Sequence, residues 1–227
     1  PVVGLDPEAS ERTLYFAQYA SSGEWSSRLL LMNPSPTTAS QVSIYDEKGH
    51  PASWSDEGSQ GPAALTIPPR GVAILATEKN SQFVTGAARV RADCPIGGVL
   101  RLESPEMGAW NIGASLPMSE FIVPVTRSES GQWNAVLAMA SVGSRVDLTL
   151  ALRDESGVVV PGGETTLLLS PNEQVSRLLE ELFPEAGTEE FRGTLTVTAD
   201  GGEVVGAALQ IGSKPGQLTV LPVKEVR

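Results

Sequence analysis

The chain has 227 residues, 41% hydrophobic and 19% charged, with 23 Gly, 17 Pro, one Cys and one His, a globular composition and not a disordered, collagenous or disulfide-rich one. Its 16 basic and 27 acidic residues give a net charge of -11, which repels phosphate backbones and anionic membrane surfaces and sets nucleic acid aside as a partner. Cys94 has no second thiol to pair with, Cys94 and His50 together cannot build a Cys/His zinc site, and no apolar run approaches the ~20 residues that span a bilayer.

In chain order, residues 1–14 read as an N-terminal extension. Its apolar residues Pro1, Val2, Val3 and Leu5 are the candidate assembly element, because Pro1-Val2 repeats Pro222-Val223 and an extended apolar tail can be added as a strand to a neighbouring sandwich. Strands are expected at 29–32, 41–45, 64–67, 71–76, 87–92, 97–102 and 111–116. Val42 and Ile44 alternate with polar neighbours, as do Leu148, Leu150 and Leu152, and Leu195 and Val197 alternate with threonines. A period of two means one buried face. Asp46-Glu47-Lys48-Gly49 and Asp154-Glu155-Ser156-Gly157 read as hairpin-type turns with Gly available for a positive φ. Later, Val175, Leu178, Leu179, Leu182 and Phe183 recur at helical spacing, with Asn172 to cap and Pro184 to stop a short helix. Glu180, Glu181, Glu185, Glu189 and Glu190 crowd that helix and the loop after it, with no basic residue among them. Such a crowd reads as a solvated face, with a cation or basic partner as the alternative.

The second half restates the first. Trp25 to Gly49 align without a gap on Trp133 to Gly157. Leu65 and Pro69 fall on Leu167 and Pro171, and Gly86, Val90, Ala92 and Asp93 on Gly193, Val197, Ala199 and Asp200. Gly97 and Leu100 fall on Gly206 and Leu209, and Leu116-Pro117 on Leu221-Pro222. This divides the chain into repeat 1 (15–118) and repeat 2 (119–227), joined by a short connection. About seven strands per copy, with turns every 8–12 residues or so, predict an all-β protein of two tandem antiparallel β-sandwiches, immunoglobulin-like in architecture, with one short helix in the second.

The blocks Phe16-Ala17-Gln18-Tyr19, Gly23-Glu24-Trp25, Asn33-Pro34-Ser35, Tyr45-Asp46-Glu47-Lys48-Gly49 and Ile67-Pro68-Pro69-Arg70-Gly71 resemble tandem immunoglobulin-like β-sandwich repeat modules of secreted bacterial surface proteins. The resemblance implies an extracellular or cell-surface location and a non-catalytic binding, spacer or assembly role, with no catalytic residue to carry over. Ser141-Val142-Gly143 replaces Asn33-Pro34-Ser35 in the second copy, so that loop need not present the same surface. No signal peptide stands at Pro1, and the expectation is a soluble or already processed chain.

Chemistry has little to work with. A Ser/His/Asp set would have to use His50, which follows a turn, lacks a G-x-S-x-G elbow and is matched by Val158 in the second copy. Cys94 precedes Pro95 at an expected strand-to-strand turn, its counterpart is Gly201, and it reads as a lone small thiol. Glycoside hydrolysis needs two facing acids, but the shared acids Asp46/Asp154, Glu47/Glu155 and Asp93/Asp200 sit at turns, where Asp bonds its own backbone. Calcium at Asp46 and Glu47 stays open, although the run lacks the spaced oxygens of a calcium loop. No cofactor is expected. The shared Trp25 and Trp133 read as packing residues. The unshared Trp54 and Trp110, in polar loops, are the candidate glycan ligands. The expected function is therefore a non-catalytic module in adhesion or assembly, with other copies or surface proteins as partners. A carbohydrate-binding module using Trp54 and Trp110 is the alternative, and a glycoside-processing enzyme the third reading.

Overall fold

The computed structural model of the chain describes residues 11–45, 54–56, 64–77, 82–128, 133–186 and 190–226. The chain divides into two compact units, Pro1–Leu116 and Pro117–Arg227. Unit 1 carries strands β1 (Glu11–Ser21), β2 (Ser26–Met32), β3 (Ser40–Tyr45), β4 (Trp54–Asp56), β5 (Ala64–Ile67), β6 (Val72–Thr77), β7 (Val84–Ser104) and β8 (Gly108–Gly113). Unit 2 carries β9 (Glu120–Arg127), β10 (Trp133–Ser141), β11 (Val146–Asp154), β12 (Val159–Leu169), β13 (Gln174–Leu178), helix α1 (Leu179–Leu182), β14 (Phe191–Asp200), β15 (Val204–Gly212), β16 (Leu218–Leu221) and β17 (Lys224–Glu225). Every pairing is antiparallel, so the all-β antiparallel expectation holds. β1 opens at Glu11, inside the stretch read as an extension, and Pro1, Val2, Val3 and Leu5 lie outside the described residues.

The alternation seen in the sequence is the alternation of burial. Val42 and Ile44 are buried in β3. In β11, Val146, Leu148, Leu150 and Leu152 are buried, and in β14 Leu195 and Val197 are buried. The intervening Asp147, Thr149 and Thr198 are exposed. Each fully buried Leu or Val contributes roughly 1.5–3 kcal/mol of transfer free energy, which fixes the register because a one-residue slip would turn the whole set to solvent.

Each unit folds as two facing sheets. In unit 1, β7 pairs with β1 and β3 through its first half and with β2 and β8 through its second; β5 extends β3, and β6 with β4 extends β2. In unit 2 the orders are β12-β11-β14-β9-β17 and β13-β10-β15-β16. Two of the expected strands of the first copy, 87–92 and 97–102, are thus one strand that passes from sheet to sheet. Cys94-Pro95 lies inside that strand and not at a turn. In unit 2 the same passage is broken between β14 and β15, where Gly201 adopts φ +80.

Pairing also settles which residues correspond. The cross-strand row Leu65, Val42, Ala92 of unit 1 matches Leu167, Leu148, Ala199 of unit 2, and Ile44, Val90, Leu14 matches Leu150, Val197, Phe121. The gapless alignment would put Val42 on Leu150, so a two-residue difference falls in the connection after β2 and β10. Leu31 faces Gly98 as Met139 faces Gly206, which makes Gly98, not Gly97, the counterpart of Gly206 and Ala208 the counterpart of Leu100. The sequence match is off by one there because Gly97 and Leu100 have the same spacing as Gly206 and Leu209.

The helix is shorter than its spacing predicts. Val175 and Leu178 belong to β13, which pairs with β10 from Ala140↔Gln174 to Val136↔Leu178. Asn172 sits at φ +60 and makes a turn instead of a helix cap. Glu173 N–H donates to Ser170 O and to Ser141 Oγ, which delivers the chain into the sheet. Only Leu179–Leu182 is helical, and Leu179, Leu182 and Phe183 drop into the core. β-Branched Val175 favours the pleated surface, and ladder pairing outweighs the 3.6 periodicity of a short segment.

Candidate functional site

The four tryptophans do not divide as the sequence suggests. Trp54 is in strand β4, opposite Thr77, only 3% exposed, with its ring edge-on to Tyr19 at 5.6 Å. The expectation of an exposed loop Trp54 is overturned: a short edge strand pairs with β6 and turns the indole into the core, where ~200 Å² of aromatic surface leaves water. Trp110 is likewise in a strand, β8, opposite the buried Leu102. It lies 6.3 Å from Trp25, the two planes tilted by 32°. Phe83 meets Trp25 edge-on at 6.5 Å and is 62% exposed. Trp25 is presented by the turn between β1 and β2: Ser22 Oγ accepts from the N–H groups of Glu24 and Trp25, and Ser22 N–H donates to Trp25 O. Trp110 therefore shares an aromatic cluster with Trp25 and Phe83, and not with Trp54.

A second feature lies on the outward face of unit 1. Along β2, Ser27, Leu29 and Leu31 point inward and are buried, which leaves Arg28, Leu30 and Met32 outside. Leu30 stands between Ile74 of β6 and Val99 of β7, and Met32 beside Val72. Met32 is 38% exposed, Ile74 40% and Val72 63%. One row further along, Arg28 stands opposite Arg101, and both guanidinium Nε atoms reach Glu103, at 3.5 and 2.6 Å. An aliphatic strip bordered by an Arg-Glu-Arg cluster thus faces solvent on this side of unit 1. The sequence carries its signal: Leu29-Leu30-Leu31-Met32 and Val72-Ala73-Ile74-Leu75 are apolar at both parities, so both faces of those strands are apolar.

Two of the acids shared by the copies, Asp93 and Asp154, bond backbone. Asp93 Oδ1 accepts from Gln41 N–H at 2.9 Å and Ser40 Oγ at 3.2 Å. Asp154 Oδ1 accepts from Ser156 Oγ, Ser156 N–H and Val158 N–H at 2.6, 2.9 and 3.0 Å. These bonds, led by that from the Ser156 hydroxyl, hold the Asp154 carboxyl below its ordinary 3.8. Glu180 pairs with Arg127 of β9, so the acidic crowd has a basic neighbour that linear sequence does not show. Asp46, Glu47 and His50 lie outside the described residues. Among the described residues no three His, Cys, Asp or Glu side chains converge on a metal position. Cys94 is half-buried, 4.0 Å from Ala39 O. A cavity of about 10 Å³ in the unit 2 core is lined by Val123, Val125, Leu137, Leu179, Leu182 and Leu195 among others, all apolar. Room for one water without a polar partner stays dry.

No family model matches this chain, and no curated protein matches its sequence. Its own geometry is what bears on function.

The loop that differs between the copies is built to the same plan. Asn33 is 1% exposed; its Nδ2 donates to the carbonyls of Thr38, Ile67 and Pro68 at 2.8, 3.1 and 3.3 Å, and its Oδ1 accepts from Ser35 N–H. At the matching place Ser141 Oγ donates to Ser170 O at 2.6 Å. Both side chains tie the end of the second-strand equivalent to the turn that follows the sheet-edge strand.

Proposed function

We propose that the chain is a non-catalytic, extracellular module of immunoglobulin-like architecture that acts in surface adhesion or assembly as a spacer or structural subunit. The observation that carries this reading is the aliphatic strip Met32, Val72 and Ile74 on the outward face of unit 1. A folded sandwich has no internal use for it, since inward residues of the same strands already fill the core, and burying such surface against a partner recovers roughly 25 cal/mol per Å². The carboxylates support the same reading, because Asp93 and Asp154 serve turns and strand ends. The test compares the purified chain with Val72→Lys and Ile74→Lys for binding to immobilised cell-surface material. Loss of binding with unchanged circular dichroism is expected; hydrolytic activity, or binding indifferent to both substitutions, overturns the reading.

The carbohydrate-binding alternative rests on a different observation, the partly exposed Trp25, Trp110 and Phe83 cluster, whose rings are of the kind that stack on sugar faces. A glycan array with Trp110→Ala as control decides it, and a blank array removes it.

A further inference from the structure

We infer that two copies of this chain pair through the edge of β12, forming a symmetric dimer whose central position is Thr166. This inference concerns unit 2 and is independent of what binds the outward face of unit 1. Strand β12 ends its sheet, pairing with β11 on one side only, while the opposite end of that sheet is closed by the short β17. An eleven-residue edge strand is a template for another strand unless it is blunted. One end is: Pro161 lacks a donor, and Gly162 lies under the Glu185 carbonyl, so close that a Cβ there would stand 2.8 Å from it. Beyond Glu164 the protection stops. Thr165-Thr166-Leu167-Leu168-Leu169 carries no charge, Pro or Gly, and its alternation leaves Thr166 and Leu168 exposed, Leu168 by 51%.

The occupant that fits is the same segment of a second chain. Antiparallel pairing of a strand with its own copy must place residues of like hydrogen-bonding orientation opposite each other, so some residue faces itself across a two-fold axis. With Thr166 on the axis, Thr166 meets Thr166, Thr165 meets Leu167, and Glu164 meets Leu168. Thr-Thr and Thr-aliphatic pairs favour an antiparallel ladder. The two Glu164 carboxylates then stand four positions apart along the strands, roughly 13 Å at the usual rise, beyond the ~8 Å over which exposed charges act at physiological salt. A ladder of five residues a side is small beside the interfaces of obligate dimers, so the pairing is concentration-dependent.

Sedimentation velocity of the full chain over a concentration series tests this. The mass should rise from 23.9 kDa toward twice that value. Thr166→Lys should weaken the association by about tenfold, since like charges then stand directly opposite, with the melting temperature unchanged; Leu168→Lys should weaken it too. In a Cys94→Ser background, Thr166→Cys should form an interchain disulfide and Glu164→Cys should not. A chain that stays monomeric throughout, a dimer indifferent to both lysines, or cross-linking equal at 164 and 166 overturns the inference.

Discussion

The ring of Phe121 lies over Gly206 of the facing sheet, so close that a Cβ at that glycine would stand 2.8 Å from Cζ and 3.2 Å from both Cε atoms. Unit 1 repeats the relationship with a smaller side chain: Gly98 faces Leu14, whose Cδ1 would be 3.0 Å from an added Cβ. Gly206→Ala should therefore destabilise the chain by about 1–3 kcal/mol through overpacking. Phe121→Leu in the same chain removes the ring atoms that the added Cβ would meet. The double variant should lose less than the sum of the singles in a denaturant double-mutant cycle; strict additivity would separate the two residues.

Iodide quenching of single-tryptophan variants should rank Trp54 as the least accessible, since it is 3% exposed while Trp25 and Trp110 are only half-buried. A Trp54 quenched as strongly as Trp110 would contradict its place in β4.

Asn33→Ala should cost about 1–3 kcal/mol, because it strips a donor from three backbone carbonyls, that of Ile67 buried. Ser141→Ala should cost less, since Ser141 serves one carbonyl, that of Ser170, and one N–H, that of Glu173. Urea melts of the two variants against the parent check the order, and a neutral Asn33→Ala would show that the turn holds without its side chain.

Asp154→Asn should matter only above the ordinary carboxylate range. The folded-state carboxyl is held below 3.8 by the Ser156 and Val158 bonds, so the folded chain takes up this proton less readily than the unfolded one. The contribution is fully present above the unfolded value and is lost as pH falls through the folded value. Melting curves of parent and variant should differ slightly at neutral pH and converge in acid. A gap that persists in acid would assign the loss to something other than the charge.

The strands were legible because burial imposes period two on residues such as Leu148, Leu150 and Leu152, whose identities state which face is inward. The chain reversal at Asp154-Gly157 was legible for a similar reason, since its Asp, Ser and Gly each have one local task. What hid were relations between distant residues. Trp54 stands among Ser, Asp and Gly and reads as loop, yet a partner some twenty residues away, Thr77, makes it strand. The spacing from Val175 to Phe183 reads as helix because i, i+3, i+4, i+7, i+8 is helical periodicity, while the bond from Glu173 to Ser141 that leads the segment into the sheet joins residues distant in sequence. The outward strip of Leu30, Met32, Val72 and Ile74 takes the strand pairing to see, because an apolar run does not say which alternate residues enter the core.

Strand β7 spends its 21 residues in both sheets of unit 1, and this sets how that unit comes apart under load. A pull along β7 stretches the ladders to β1 and β3 and those to β2 and β8 together, so neither sheet can be peeled while the other stays whole. In unit 2 the two glycines after Asp200 divide the same path, and β14 can lose its neighbours while β15 keeps β10 and β16. The same difference orders assembly of the folded chain from its unfolded state: nucleation on β7 engages both sheets of unit 1 at once, whereas unit 2 can set one sheet before the other.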